Sequence, residues 1–177
     1  MAIDTGAGSQ DYRNLLDKVF NHYKPKHLLE FGLGMGTLYF LEKSDKVTSF
    51  EILVHPTQEG WTQEVLDRVG DNPNYKAIDF PHKDEFTDEL KNEIEKLLIE
   101  LKPDFVFVDS GCHCRGDIIN LCFKHNIPNI SAHDTAHHPQ LYGWDKIKTK
   151  KGYYFINHTE GQGTFFWSNN KSLHDNL

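Results

Sequence analysis

Five short apolar runs, each separated from the next by a longer stretch of helical periodicity, restrict this chain to a narrow choice of architectures. The runs are His27 to Phe31, Val47 to Ile52, Tyr75 to Ile78, Phe105 to Val108 and Asn129 to Ala132, most of them rich in β-branched or aromatic residues. Helices are expected between them at Thr37 to Glu42, Thr57 to Val69, Lys83 to Leu101 and Gly116 to His125. Strands buried on both faces and returned through helices form a parallel sheet with helices on either side. A further helix is expected over Gln10 to Tyr23, where Tyr12, Leu15, Leu16, Val19 and Phe20 make one apolar face, with Ser9 as N-cap and Pro25 as stop. The rhythm breaks near the end: Tyr153 to Asn157 and Thr164 to Ser168, joined by His158 to Gly163, read as a hairpin. The pattern predicts an α/β fold with a mostly parallel seven-stranded sheet that ends in an antiparallel hairpin. One domain is expected over 1–177, with its core at 26–168.

Charge narrows the partners. A net charge of -7 works against a surface that tracks phosphates, so nucleic acid is disfavoured as a partner. Lys146, Lys148, Lys150 and Lys151 form a local basic group that reads as a solvated turn. No apolar stretch approaches the length of a membrane span, and Met1 to Gln10 lack the basic-then-apolar pattern of a secretion signal. The three cysteines, Cys112, Cys114 and Cys122, suit a reducing compartment better than a disulfide framework, and a cytoplasmic protein is expected.

Chemistry concentrates first in Leu28-Leu29-Glu30-Phe31-Gly32-Leu33-Gly34-Met35-Gly36-Thr37, an apolar strand running into three alternating glycines. A ligand can lie against backbone at the carboxyl end of a first strand only where side chains are missing and the turn can reach positive φ. The spacing is G-x-G-x-G, not the G-x-G-x-x-G that sets a pyrophosphate over a helix N-terminus. Glu30, two residues upstream, suits a cationic ligand group better than a phosphate. Glu51 ends the second strand at the same sheet edge, where a carboxylate can accept hydrogen bonds from both hydroxyls of a ribose. A ligand-free strand-to-helix turn and a surface acid are the plainer readings of these two features.

With this motif the sequence resembles the class I S-adenosylmethionine-dependent methyltransferases, whose first motif is E-x-G-x-G-x-G-T and whose second strand ends in an acid. The resemblance runs from about Lys26 to Ser168. It implies the Rossmann-like class I methyltransferase fold and S-adenosylmethionine as cofactor. It also implies Glu30 near the methionine amino group, Gly32, Gly34, Gly36 and Thr37 around the cofactor, Glu51 on the ribose and Asp79 near the adenine amine.

The fourth and fifth strands end in Asp109 and in His133-Asp134, on one crevice. Two carboxylates so close need something positive between them or a shared proton, and a divalent cation such as magnesium is a natural occupant. The pattern is similar to the metal-assisted O-methyltransferases, which include catechol and macrocin O-methyltransferases. That similarity implies a metal on Asp109 and Asp134 that binds two substrate hydroxyls and acidifies one. Ser110-Gly111-Cys112-His113 carries one residue more than the D-G-x-H turn of that group, and no L-x-P-G-G precedes the fifth strand.

His113, His133, His137 and His138 crowd the same region. Cys112-His113-Cys114 has no second C-x-x-C, so zinc or iron is a weak reading. General base is the better use for a histidine, with His133 and then His113 as candidates, each also readable as a pocket wall. Three functions remain open: a methyltransferase acting on a small-molecule oxygen or nitrogen with Asp109, His133, Asp134 and His113 as its catalytic residues, a non-catalytic subunit of the same fold, and a nucleotide-binding oxidoreductase. The missing G-x-G-x-x-G disfavours the last. Acceptor choice is expected to reside in the loops Phe80 to Thr87 and Thr135 to Gly143, and oligomeric state has no sequence signal.

Overall fold

The computed structural model describes residues 11–54, 58–81 (58 and 59 as backbone), 85–136 and 139–177. Ser9, Thr57, Lys83, His137 and His138, each assigned a role from the sequence, lie outside the described residues. In chain order the elements are α1 (Arg13–His22), β1 (Leu28–Phe31), α2 (Gly36–Lys43), β2 (Val47–Leu53), α3 (Gln58–Val69), β3 (Tyr75–Pro81), α4 (Asp88–Leu101) and β4 (Phe105–Val108). They continue with α5 (Arg115–Lys124), β5 (Asn129–His133), a single 3-10 turn (Trp144–Lys146), β6 (Tyr154–His158), β7 (Thr164–Ser168) and α6 (Lys171–Asp175).

The seven strands form one sheet in the order β3-β2-β1-β4-β5-β7-β6. The first five are parallel, and β7 lies antiparallel to both β5 and β6. The strand order therefore reverses between β1 and β4, the central pair, and an open α/β sheet offers a crevice beyond the strand ends at such a point. This is the class I methyltransferase fold.

Burial follows position in the sheet. β1, β4 and β5 are buried along their whole length, which is why they read as unbroken apolar runs. β3, at the edge, alternates partly buried and exposed positions and continues to Pro81, three residues beyond the apolar run. One face of the sheet packs Leu29, Phe31, Phe50 and Ile52 against Leu90, Ile94 and Leu97 of α4 and Ile118, Ile119 and Phe123 of α5. The other packs Leu28, Val47, Phe105 and Phe107 against Leu15, Leu16 and Val19 of α1 and Tyr39 and Phe40 of α2.

One boundary and one added element have local causes. α4 begins at Asp88 because the Thr87 side chain accepts a hydrogen bond from Leu90 N at 3.3 Å, a cap that Asp88 and Glu89 reinforce in the first turn. α6, which no sequence pattern announced, has only five residues and is started by Asn170, whose Oδ1 accepts from Leu173 N at 3.2 Å.

Gly116, in the first turn of α5, seats the segment that follows β5. Its N–H donates to Tyr142 O at 2.9 Å, and a Cβ there would stand 1.9 Å from Gly143 O. Trp144 completes the seat: its backbone N–H donates to Pro139 O at 2.8 Å and its indole to Asp134 O at 3.3 Å.

Candidate functional site

The turn after β1 is built around a buried carboxyl. Glu30 pairs in register with Ser49 of β2, whose hydroxyl donates to Glu30 Oε2 at 2.7 Å, and Thr37 at the start of α2 donates to the same oxygen at 2.7 Å. Burial pushes the Glu30 carboxyl up to about 8; the two hydroxyls oppose this, and the charges of Glu51 and Asp109 add to it. Glu51, also buried, accepts the backbone N–H of Leu33. The indole of Trp61 on α3 donates to Leu33 O at 2.8 Å, so the N–H and the carbonyl of this residue are both fixed by side chains.

The three glycines serve different needs. Gly32 has φ +104°, and a Cβ there would lie 2.4 Å from Asp109 O, so backbone conformation and the neighbouring strand both demand glycine. At Gly36 a Cβ would stand 2.6 Å from the Tyr12 hydroxyl. Of the three, Gly34 alone opens onto space: a Cβ there would have no neighbour within 4 Å. The sequence assigned all three to a ligand; packing by itself demands glycine at Gly32 and Gly36, while Gly34 borders open space.

Beyond β4 and β5 the charges form a closed set that the sequence did not reveal. Arg115, the first residue of α5 and almost wholly buried, folds back over the strand ends. Its Nη1 donates to Asp109 Oδ1 at 2.9 Å, to Asp134 Oδ2 at 3.1 Å and to His133 O at 3.2 Å, while its Nε donates to Ser110 O at 2.7 Å. The ring of Tyr142 covers the guanidinium at 4.0 Å. The positive group expected between the two carboxylates is thus a side chain of the protein itself.

His133 completes the set. Its Nδ1 faces Asp109 Oδ2 at 3.3 Å and Asp134 Oδ1 at 3.6 Å, and its Nε2 faces Asp11 Oδ1 at 2.6 Å. Ionised carboxylates only accept hydrogen bonds, so a ring with carboxylates at both nitrogens is held as the doubly protonated imidazolium. Burial pulls its pKa down, but Asp109, Asp134 and Asp11 outweigh burial and push it up to about 9. The expected general base is therefore placed as a charge partner. Asp134 has φ +60°, a left-handed conformation uncommon outside glycine, and its side chain keeps about a quarter of its surface exposed.

A cavity of about 220 Å³ joins the two halves. Glu30, Gly32, Gly34, Gly36, Glu51, Asp109, His133 and Asp134 all line it, and Thr37 supports it through Glu30. Asp79 and His113 do not line it: Asp79 is exposed on the edge strand, and His113 is exposed with its ring 6.0 Å from that of Tyr142. Tyr12, Trp61, Glu64 and Arg115 are wall residues that sequence reasoning missed. The G-x-G-x-G turn could point only to backbone next to it, whereas these four arrive from helices and their ends.

Among the described residues one group has the spacing of metal ligands. Asp109, His133 and Asp134 each offer one ligand atom within 4.8 Å of the others. The same carboxylates already hold Arg115 between them and face His133 Nδ1, whose Nε2 is taken by Asp11. As placed, these residues do not fit a divalent cation.

No protein-family model matches the chain, and no curated protein matches it. Solved structures do resemble it. A Staphylococcus aureus protein provisionally described as a caffeoyl-CoA O-methyltransferase superposes with a TM-score of 0.67 at 12% identity, over 92% of this chain and 85% of that one. An O-methyltransferase from Bacillus cereus, in complex with S-adenosylhomocysteine, gives 0.64 at 13% identity over 93% and 83%. The O-methyltransferase TomG of Streptomyces achromogenes, involved in tomaymycin synthesis and in complex with S-adenosylmethionine, gives 0.59 at 14% identity over 89% and 78%. At these identities the likeness establishes the fold. No helix among the described residues is long and apolar enough to cross a membrane.

Proposed function

We propose that this chain is an S-adenosylmethionine-dependent methyltransferase acting on a small-molecule oxygen or nitrogen. One observation carries the reading: the buried Glu30, the ribose-suited Glu51 and the open backbone of Gly34 converge on a single cavity at the carboxyl ends of the central strands. S-adenosylmethionine, when bound, supplies a methyl group on a positively charged sulfur. Glu30 and Asp109 would meet the ammonium end of that ligand, Gly34 would lie under it and Glu51 would take its ribose hydroxyls. Trp61, about half exposed at the wall, offers an aromatic face with its indole N–H already satisfied.

The acceptor must lose a proton as its oxygen or nitrogen attacks. Asp134 is the base best placed for this. It is a carboxylate at the cavity wall whose Oδ1 stands 3.6 Å from His133 Nδ1, beyond hydrogen-bond range, whereas the Asp109 oxygens face Arg115 and His133 at 2.9 and 3.3 Å and the His133 nitrogens face Asp109 and Asp11 at 3.3 and 2.6 Å. Arg115 holds Asp134 in place, and His133 holds Asp109. The similarity to O-methyltransferases supports an oxygen acceptor. Similarity to the N-methyltransferase NodS of Bradyrhizobium japonicum, at a TM-score of 0.53 and 12% identity, keeps nitrogen in the class. Three buried free thiols, Cys112, Cys114 and Cys122, support residence in a reducing compartment such as the cytoplasm.

Calorimetry of the purified protein against S-adenosylmethionine, S-adenosylhomocysteine and NAD tests the reading. Binding of the first two without NAD is the expected result, and binding of NAD alone would replace methyl transfer with the oxidoreductase reading. A screen of phenols and amines for S-adenosylhomocysteine release then separates an enzyme from a non-catalytic binder.

A further inference from the structure

We infer that Arg115 takes the place between Asp109 and Asp134 that a divalent cation would hold, so that Asp109, His133 and Asp134 form a charge pocket for the chain's own guanidinium and do not bind a metal ion. The geometry around one atom carries this. Arg115 Nη1 has three oxygens about it, Asp109 Oδ1 at 2.9 Å, Asp134 Oδ2 at 3.1 Å and His133 O at 3.2 Å. A hard cation bound to those carboxylates sits roughly 2.0–2.6 Å from their oxygens. A cation meeting that condition for both oxygens would crowd Nη1, a site already filled by a positive group.

The guanidinium has no ready exit. Nε is tied to Ser110 O at 2.7 Å, the Tyr142 ring lies across the face at 4.0 Å, and the side chain is 5% exposed. His133 is equally committed. A metal ligand needs a bare lone pair on its nitrogen, and both ring nitrogens face carboxylates, Nδ1 toward Asp109 and Nε2 toward Asp11. Asp109 and Asp134 are thus both engaged by the Arg115 guanidinium before any ion arrives. Arg115 is accordingly a positioning residue: it holds Asp109 and Asp134 at the cavity wall, as a metal would, but cannot exchange and offers no open coordination position to an acceptor.

Removal of the guanidinium should turn the same residues into a cation site, because it leaves two carboxylates without their shared partner. Mn2+ binding, followed by loss of the electron paramagnetic resonance signal of the free aqua ion, tests this without cofactor or acceptor, so the outcome is independent of methyl transfer. Five full-length proteins are compared: wild type, Arg115→Lys, Arg115→Gln, Asp134→Asn and the double variant Arg115→Gln/Asp134→Asn. Wild type and Arg115→Lys are expected to leave the signal unchanged. Arg115→Gln is expected to bind one equivalent at least about tenfold more tightly than wild type, since charge count sets affinity at such sites, and the double variant should lose that gain. Two results would overturn the inference: a folded Arg115→Gln with no gain, or Mn2+ bound by wild type and lost in Asp134→Asn. If near-ultraviolet circular dichroism shows Arg115→Gln unfolded, Arg115→Met, which keeps the stem under Tyr142, replaces it. If neither folds, the wild-type and Asp134→Asn pair decides.

Discussion

Asp11 and His133 stand 122 positions apart in sequence and 2.6 Å apart in space. The second carboxylate oxygen of Asp11 accepts the N–H of Gln162 at 2.5 Å, so one side chain ties the start of α1 to the end of β5 and to the turn between β6 and β7. The fit is close enough that a Cβ on Gly161, in that turn, would stand 1.5 Å from Asp11 Oδ2. His133 is the junction through which the first helix meets the charge set at the cavity.

This junction makes stability depend on alkaline pH. The folded pKa of His133, about 9, lies above its ordinary 6.5, so the stabilisation is fully present below 6.5 and is lost as pH rises through about 9. The shift corresponds to a loss on the order of 3 kcal/mol. Urea unfolding at pH 6 and pH 9.5 should show wild type losing about 3 kcal/mol more stability than His133→Gln. An equal loss in the two proteins would show that the imidazolium is not the source.

Glu30 acts in the same direction through a different cause. Its folded value of about 8 lies above the ordinary 4.5, so the ligand-free protein loses stability as pH climbs from 4.5 through 8 and the buried carboxyl ionises. Glu30→Gln keeps an acceptor for Ser49 and Thr37 while removing that ionisation. It should melt higher than wild type at pH 8.5 without ligand, yet bind S-adenosylmethionine more weakly. A lower melting temperature at that pH would mean that the carboxylate is stabilised by something other than ligand.

The glycine turn should separate folding from binding. Gly34→Val places its side chain in open space and is expected to fold with an unchanged denaturant midpoint but to lose cofactor affinity. Gly32→Ala must accommodate both φ +104° and the Asp109 carbonyl, and is expected to lose on the order of 3 kcal/mol or more of stability. Undiminished binding in Gly34→Val would remove the cradle from the proposal.

Glu51 and Asp134 should divide binding from turnover. Glu51→Ala is expected to weaken S-adenosylmethionine binding by about 1–3 kcal/mol, the range for hydrogen bonds to a charged group. Asp134→Asn keeps the shape beside Arg115 and should leave that dissociation constant near wild type while lowering turnover by about 100-fold or more. Full activity in Asp134→Asn would move the base elsewhere.

The sheet was legible because its central strands are buried on both faces and so are written as uninterrupted apolar runs. Phe105–Val108 and Thr164–Ser168 form as read, and the other strands shift by one to three residues at an end. The glycine turn and Glu51 were legible through local spacing. Arg115 was not: a lone arginine at the start of a helix reads as surface, and only packing under Tyr142 shows that it supplies the positive charge that Asp109 and Asp134 require. The partnership of His133 with Asp11 was invisible for the same reason, since no pattern in sequence connects residues 122 positions apart.

The seat formed by Gly116, Tyr142 and Trp144 separates the segment after β5 into parts that can and cannot vary. Any side chain at 116 would drive off the Gly143 carbonyl, and Trp144 is pinned at both its backbone and its ring. Gln140 and Leu141 between these anchors are exposed. That short span is interchangeable: substitutions there leave the anchors on either side, and the charge set that Tyr142 covers, in place.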